Sequence, residues 1–111
     1  MDEIRDRATA ILALPEFSGS DWWLTFYLTA PQERLERIVP NLLALGAVNL
    51  DDAEGGFLYP KLPVRGEPSA VAHLVSQVRA LAHAEEVETL SVDVDTVPDV
   101  TRSHFVELVR F

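Results

Sequence analysis

Hydrophobic and polar residues alternate in two rhythms along this chain, and each rhythm predicts one type of element. Apolar residues recur every three or four positions over residues 2–14, 31–45 and 68–84, which is the spacing of a helix with one buried stripe. They recur at every second position over residues 21–29 and 88–95, which is typical of half-buried strands. The pattern therefore predicts three helices and two well-defined strands.

Two shorter segments complete the predicted order. Residues 47–50 and 57–62 are expected to form strands joined by the polar hairpin connection 51–56. Pro60 and Pro63 cannot donate ladder hydrogen bonds, so the second of these strands is expected to be irregular or peripheral.

Two parts of the chain allow alternatives. Pro40 lacks an N–H and crowds the preceding turn of helix 31–45, which predicts either a kink or two short helices. In the tail, Asp99 could cap a short helix, or residues 104–111 could form a strand.

The order after the first helix is β-α-β-β-α-β, which is the ferredoxin-like plan. The chain length of 111 residues and its hydrophobic share of 48% fit one domain with one core. We therefore expect a single α+β domain over residues 1–111. It would consist of an N-terminal helix and turn (1–20), a ferredoxin-like βαββαβ two-layer sandwich (21–95) and a C-terminal extension (96–111), with two helices on one face of a four-stranded antiparallel sheet.

The charge balance narrows the class of partner. Eighteen acidic residues stand against nine basic ones, which gives a formal net charge of −9 with a single lysine. Nucleic acids and anionic membranes are bound mainly by clustered Lys and Arg, so direct binding to either is not expected. A basic protein surface is the partner class that this charge would attract, although net negative charge also serves solubility alone.

The sequence offers no pattern for a cofactor or for catalysis. The absence of cysteine excludes disulfides, thiolate metal sites and cysteine nucleophiles. No phosphate-binding glycine loop is present, and the three histidines, His73, His83 and His104, are too scattered for a metal site. The acidic N-terminus and the lack of a long apolar run predict a cytoplasmic protein without a membrane span.

Strand parity identifies a candidate binding surface on the sheet face away from the two core helices. It carries four aromatic residues, Trp23, Tyr27, Phe57 and Tyr59. The first and third strands of the predicted topology are neighbours, so these rings are expected to form one patch, and exposed aromatic patches mark partner sites. Two alternatives remain: the N-terminal helix or the tail covers the patch as a second small core, or the patch is the seam of a homodimer.

An acidic stretch from Glu85 to Asp99 adjoins this surface. Asp93 and Asp95 lie on one side of their strand, as a divalent-cation pair would, but the further oxygen ligands and the glycine of a calcium loop are missing. We therefore predict no metal site and assign both carboxylates to binding of a basic partner. A merely solvated edge is the alternative.

The order of these segments resembles a known family. The stretch Trp22-Trp23-Leu24-Thr25-Phe26-Tyr27-Leu28, followed by a helix ending in Ala44-Leu45-Gly46, is similar to the start of the bacterial ribonuclease E inhibitor (RraB-like) family. The segment Phe57-Leu58-Tyr59-Pro60-Lys61 and the strand Val92-Asp93-Val94-Asp95 continue the resemblance over roughly residues 21 to 95. The Gly-Trp ending of that family's last strand and its long acidic tail are missing here. The resemblance implies a non-enzymatic acidic domain that binds and inhibits a nuclease.

The sequence thus predicts a small acidic protein-binding regulator or inhibitor, without enzymatic activity or cofactor. Its partner would be a nuclease or another basic protein, as for immunity-type inhibitors. The alternative is a dimeric ferredoxin-like domain that binds a small ligand between its open sheet faces.

Overall fold

A computed structural model describes residues 3–48, 50, 55–96 and 105–111 of the chain. Within these residues the fold is α+β, as predicted, with three helices and a five-stranded antiparallel sheet. The helices and strands, in chain order, are α1 (Glu3–Leu12), β1 (Asp21–Thr29), α2 (Gln32–Ala44), β2 (Phe57–Leu58), β3 (Lys61–Arg65), α3 (Pro68–Ala84), β4 (Glu88–Asp95) and β5 (Val106–Arg110).

Strand β1 lies inside the sheet and is paired on both edges. It pairs with β4 on one side and with β2 and β3 on the other, and β5 pairs with the outer edge of β4. Strands β2 and β3 follow the same edge of β1, interrupted where Phe26 donates its N–H to the Pro60 carbonyl at 3.0 Å. The irregular strand predicted from the prolines is therefore found here.

The described residues of the predicted strand 47–50, which are 47, 48 and 50, form no strand. Val48 makes an isolated bridge with Lys61, through N–H···O bonds of 2.8 and 3.0 Å, and Leu50 lies outside any described strand. Of its described residues only Ala47 is buried, while Val48 is exposed, and so little burial does not hold a longer strand against the sheet. The described sheet thus differs from the four-stranded plan in three places: the segment 47–50 supplies only the bridge at Val48, the predicted strand 57–62 is divided into β2 and β3, and β5 adds a strand beyond β4. Most of the predicted connection 51–56 lies outside the described residues.

The structure excludes one of the two alternatives for helix 31–45 and decides between those for the tail. Helix α2 continues through Pro40 as one helix, so a division into two short helices is wrong. Pro40 is exposed while the apolar stripe of α2 stays buried, and this packing outweighs the lost hydrogen bond. The tail forms strand β5 instead of a helix, and the proposed cap Asp99 lies outside the described residues.

One core joins the helices to the sheet. Alternate residues of β1 are fully buried in it: Trp22, Leu24, Phe26 and Leu28. The buried stripes of α1, α2 and α3 belong to the same core, so the described helices cover one face of the sheet. Trp22 closes one end, where its indole Nε1–H donates to the Phe17 carbonyl at 2.9 Å and the two rings meet edge to face at 5.9 Å. The other face of the sheet is left for the remaining residues of β1.

Candidate functional site

The sheet face opposite the helices, which we call the open face, carries the odd-numbered residues of β1. Thr25 lies at its centre, with Lys61 of β3 directly beside it on one side and Asp93 of β4 on the other. Glu107 of β5 is the next neighbour beyond Asp93. The antiparallel register therefore places a row of polar residues across four strands, in contrast to the apolar residues under the helices.

Three aromatic rings form a contact cluster at one end of the open face. Tyr27 and Tyr59 meet at 5.3 Å between ring centroids with an angle of 61°, and Tyr59 stacks on Phe57 at 6.2 Å and 17°. Both tyrosines are half-buried and Phe57 is 40% exposed. We call these three residues the aromatic cluster. Trp23 is also half-buried on this face, but Thr25 separates it from Tyr27. The four aromatic residues therefore share one face, as alternation predicts, but only three of them contact one another.

A short hydrogen bond connects the aromatic cluster to the polar row. The Tyr27 hydroxyl donates to Asp93 Oδ2 at 2.6 Å. Burial raises the pKa of Asp93, the bond from Tyr27 partly opposes that rise, and the nearby Glu107 carboxylate adds to it. Burial and the bond to Asp93 also raise the pKa of the Tyr27 hydroxyl. Tyr27 therefore remains a neutral donor near pH 7, and its ring is held in place.

Lys61, which ends the polar row on β3, belongs to a buried ion pair. Lys61 Nζ is 3.7 Å from Asp95 Oδ2, and the two side chains are only 4% and 2% exposed. Asp95 Oδ1 also accepts the Thr96 N–H at 2.7 Å. The alternation of the segment 57–62 predicts that Lys61 lies on the same face as Phe57 and Tyr59, but not that it is buried. The one signal for its burial is that the only lysine of an acidic chain lies within an apolar run.

The two predicted acidic contacts are less accessible than expected. Asp93 is 8% and Asp95 is 1% exposed, so both carboxylates lie beneath the surface instead of at its margin. Parity fixes the face on which a side chain lies, whereas the neighbouring side chains decide how much of it meets solvent. Both residues therefore position other groups on the open face. Glu107, whose side chain is 45% exposed, is the accessible carboxylate beside them, and the sequence pattern did not single it out.

The described acidic residues of the stretch 85–99 lie in two separate places. Glu85 and Glu86 lie just after α3 and pair with Arg37 and Arg34 of α2, at 3.7 and 3.4 Å. Asp99 lies outside the described residues. These two acids thus link the end of α3 to α2 through ion pairs, whereas Asp93 and Asp95 lie on the open face.

The described residues contain no group of three or more His, Cys, Asp or Glu side chains arranged to hold a metal ion. His73 and His83 are exposed on α3, and His104 lies outside the description. None of the described helices combines the length and the apolar character that crossing a membrane requires.

Comparisons with protein-family models, with curated proteins and with solved structures find no match to this chain. The resemblance to ribonuclease E inhibitors therefore stays a prediction. The chemistry of the open face is the basis for a functional proposal.

Proposed function

We propose that this protein is a non-catalytic binding module that recognises a basic surface of another protein through its open face and thereby regulates or inhibits that partner. The observation that supports this most directly is the aromatic cluster, in which Tyr59 stacks on the exposed Phe57 and contacts Tyr27, whose hydroxyl is held by Asp93. Aromatic residues in such a position supply most of the binding energy in protein interfaces.

The chemistry of the cluster suits an arginine or lysine of the partner. A guanidinium or ammonium group over a tyrosine face is attracted by the ring quadrupole, by about 0.5–2 kcal/mol depending on desolvation. Glu107 supplies a nearby carboxylate, and its present partner Arg110 lies at 2.9 Å in an exposed pair. Exposed pairs of this kind contribute little to stability, so Glu107 can exchange Arg110 for a cation of the partner.

The net charge of −9 acts at longer range. It accelerates encounter with a basic surface and disfavours nucleic acid, and screening by salt weakens both effects. Aromatic contacts would then determine how long the complex lasts. A nuclease is a natural partner class because its nucleic-acid site is basic, in line with the family resemblance that the sequence carries.

The pairing of the strands also supports a more specific fold class. We place the chain in the ferredoxin-like class, supported by the antiparallel neighbours of β1: β2 and β3 on one edge and β4 on the other. The bridge between Val48 and Lys61 would then be the remnant of the second strand, and β5 an addition to the plan. Folds of this type leave one sheet face free of helices, which is the surface that the proposal uses.

The experiment compares three purified single-residue variants with the parent in binding to ribonuclease E, the partner that the resemblance suggests. Phe57→Ala and Tyr59→Ala remove aromatic anchors, and Leu43→Ala is the matched control, since Leu43 is 57% exposed on α2. Loss of an anchor is expected to raise Kd by about 30-fold, which corresponds to about 2 kcal/mol, with Leu43→Ala unchanged. The parent should also bind more weakly as salt rises from 50 to 500 mM, because salt screens attraction between charges that are separated by more than the Debye length, which is about 10 Å at 0.1 M.

Two results would contradict the proposal. Equal binding by the parent, Phe57→Ala and Tyr59→Ala would move the interface off the open face. Binding that is insensitive to salt would exclude a basic partner surface. If ribonuclease E does not bind at all, the same variant set is applied to proteins captured from a native lysate, and only a basic protein lost with Phe57→Ala and kept with Leu43→Ala supports the proposal.

A second candidate is a homodimer joined through the open face, with a small ligand enclosed between the aromatic clusters of its two copies. Sedimentation of the free protein separates the two ideas, because a parent dimer that Phe57→Ala dissociates favours this second candidate.

A further inference from the structure

Two of the described helices form a cleft that is separate from the open face. A cleft of about 560 Å³ lies between α1 and α3. Its floor includes Ile4 and the fully buried Val75. Its walls carry five exposed polar residues, Arg5, Ser69, His73, Ser76 and Arg79. An apolar floor with a few converging polar groups is typical of small-molecule sites.

Helix geometry explains why these groups converge. Ser69, His73, Ser76 and Arg79 follow one another at spacings of four, three and three residues, which places them on one face of α3. The row extends over about 15 Å, from ten residues at about 1.5 Å each. Arg5 reaches the same cleft from the first turns of α1. The cleft is therefore an elongated row of donors with a cation from each helix.

The sign of charge in the cleft is opposite to that of the whole protein. The chain has 18 acidic residues against nine basic ones, yet no described acidic residue lines this cleft. Within the described residues, Arg34, Arg37 and Arg110 each pair with a carboxylate. Arg79 has no carboxylate within ion-pair distance among them, which leaves its charge for a ligand.

Arg79 is also held in a defined position. Its guanidinium carbon lies 3.9 Å from the centroid of the Phe111 ring. Stacking of this kind engages the face of the guanidinium and leaves the N–H groups at its edge available for a planar or tetrahedral oxyanion. Charge-assisted bonds from arginine to carboxylate or phosphate are among the stronger hydrogen bonds in proteins.

We propose that the cleft between α1 and α3 binds a small anionic ligand that carries phosphate or carboxylate groups. Arg79 is its anchor, and the hydroxyls of Ser69 and Ser76 with the His73 ring supply further polar contacts. The site is independent of the open face and of the partner proposed there.

The test is a titration of the ¹⁵N-labelled full chain, followed by amide and arginine side-chain NMR at constant ionic strength. Inorganic pyrophosphate and succinate are the two probes. At least one probe should give saturable shifts at Ser69, His73, Ser76 and Arg79. Saturation by pyrophosphate alone identifies a phosphate ligand, by succinate alone a carboxylate ligand, and by both a general oxyanion site.

Two variants and one control show whether the probes bind in the cleft. Arg79→Gln keeps most of the side chain but removes the charge, and is expected to weaken binding at least about tenfold, as the loss of a charged hydrogen-bond donor does. Ser76→Asp places a carboxylate in the exposed wall and should weaken binding by a similar factor. Arg65→Gln is the matched control, because Arg65 is an exposed arginine of β3 outside the cleft. Circular dichroism confirms that each variant is folded.

The proposal is overturned if neither probe saturates, if shifts are spread over the whole surface, or if Arg65→Gln weakens binding as much as Arg79→Gln. Since Phe57→Ala leaves the cleft intact, that variant should bind the probes like the parent. The two proposals can therefore fail separately.

Discussion

Replacing Lys61 with methionine should destabilise the protein strongly, because it removes one partner of a buried ion pair. Lys61 Nζ lies 3.7 Å from Asp95 Oδ2, with the two side chains 4% and 2% exposed. Methionine keeps the length and the apolar stem of the side chain and deletes only the charge. The Asp95 carboxylate then stays in a poorly solvated place without this ammonium.

The size of the effect follows from the distance and the burial. Two unit charges about 4 Å apart attract by about 4 kcal/mol at an effective dielectric constant of about 20. Breaking a buried pair from one side costs about 3–5 kcal/mol in other proteins, because a desolvated charge remains. For a domain of this size, that loss corresponds to a fall in Tm of roughly 10–20 °C.

The assay is a double-mutant cycle by urea unfolding. Asp95→Asn removes the negative charge and keeps an oxygen for the Thr96 N–H, so Lys61→Met combined with Asp95→Asn removes both charges together. The double variant should be more stable than the sum of the single losses predicts, by at least about 2 kcal/mol. Arg65→Met on the same strand is the exposed control and should stay within about 0.5 kcal/mol of the parent. A Lys61→Met variant as stable as that control, or single losses that simply add, would refute the reasoning.

Two further predictions concern contacts at either end of β1. Because the pKa of Asp93 is raised in the folded state, folding favours the protonated form of this carboxyl. The stabilisation that results is complete below the unfolded-state pKa and is lost as pH rises through the folded-state pKa. Tyr27→Phe removes the bond that favours the charged form, so the free energy of unfolding should fall by about 1.5–3 kcal/mol at pH 7 and by less near pH 3; equal losses at both values would contradict this. Gly66→Ala should cost about 1–3 kcal/mol in urea unfolding, because its Cβ would lie 2.6 Å from the Ser20 carbonyl oxygen and 2.7 Å from Trp22 Nε1, and an unchanged midpoint would disprove that close approach.

Long periodic segments are the part of this fold that could be predicted from sequence. Strand β1 and helix α3 each bury an alternating or helical set of apolar residues, and their predicted ranges 21–29 and 68–84 match the structure. Short segments carry too few residues for a pattern to decide. The patterns of residues 47–50 and of the tail therefore do not decide their structure. In the tail, pairing with β4 is what makes residues 106–110 a strand.

Side-chain environment was harder to predict than side-chain direction. The open face was assigned correctly by parity, but parity could not show that Asp93 and Asp95 are buried. Leu90 illustrates a second limit: the alternation within 88–95 predicts that it faces the core with Val92 and Val94, but it lies opposite a register shift between Tyr27 and Leu28 and is only half-buried. Irregular pairing of this kind depends on two strands at once, so one strand's own sequence does not reveal it.

The neighbouring tryptophans of β1 give the protein one spectroscopic probe on each side of the sheet. Trp22 is fully buried in the core, whereas Trp23 is half-buried on the open face. Indole emission shifts to longer wavelength as its surroundings become more polar, so Trp23→Phe leaves a fluorescence signal from Trp22 that reports on unfolding. Trp22→Phe leaves a signal from Trp23 that responds when something covers the open face. Occupancy and integrity of the fold can thus be followed separately, without any attached dye.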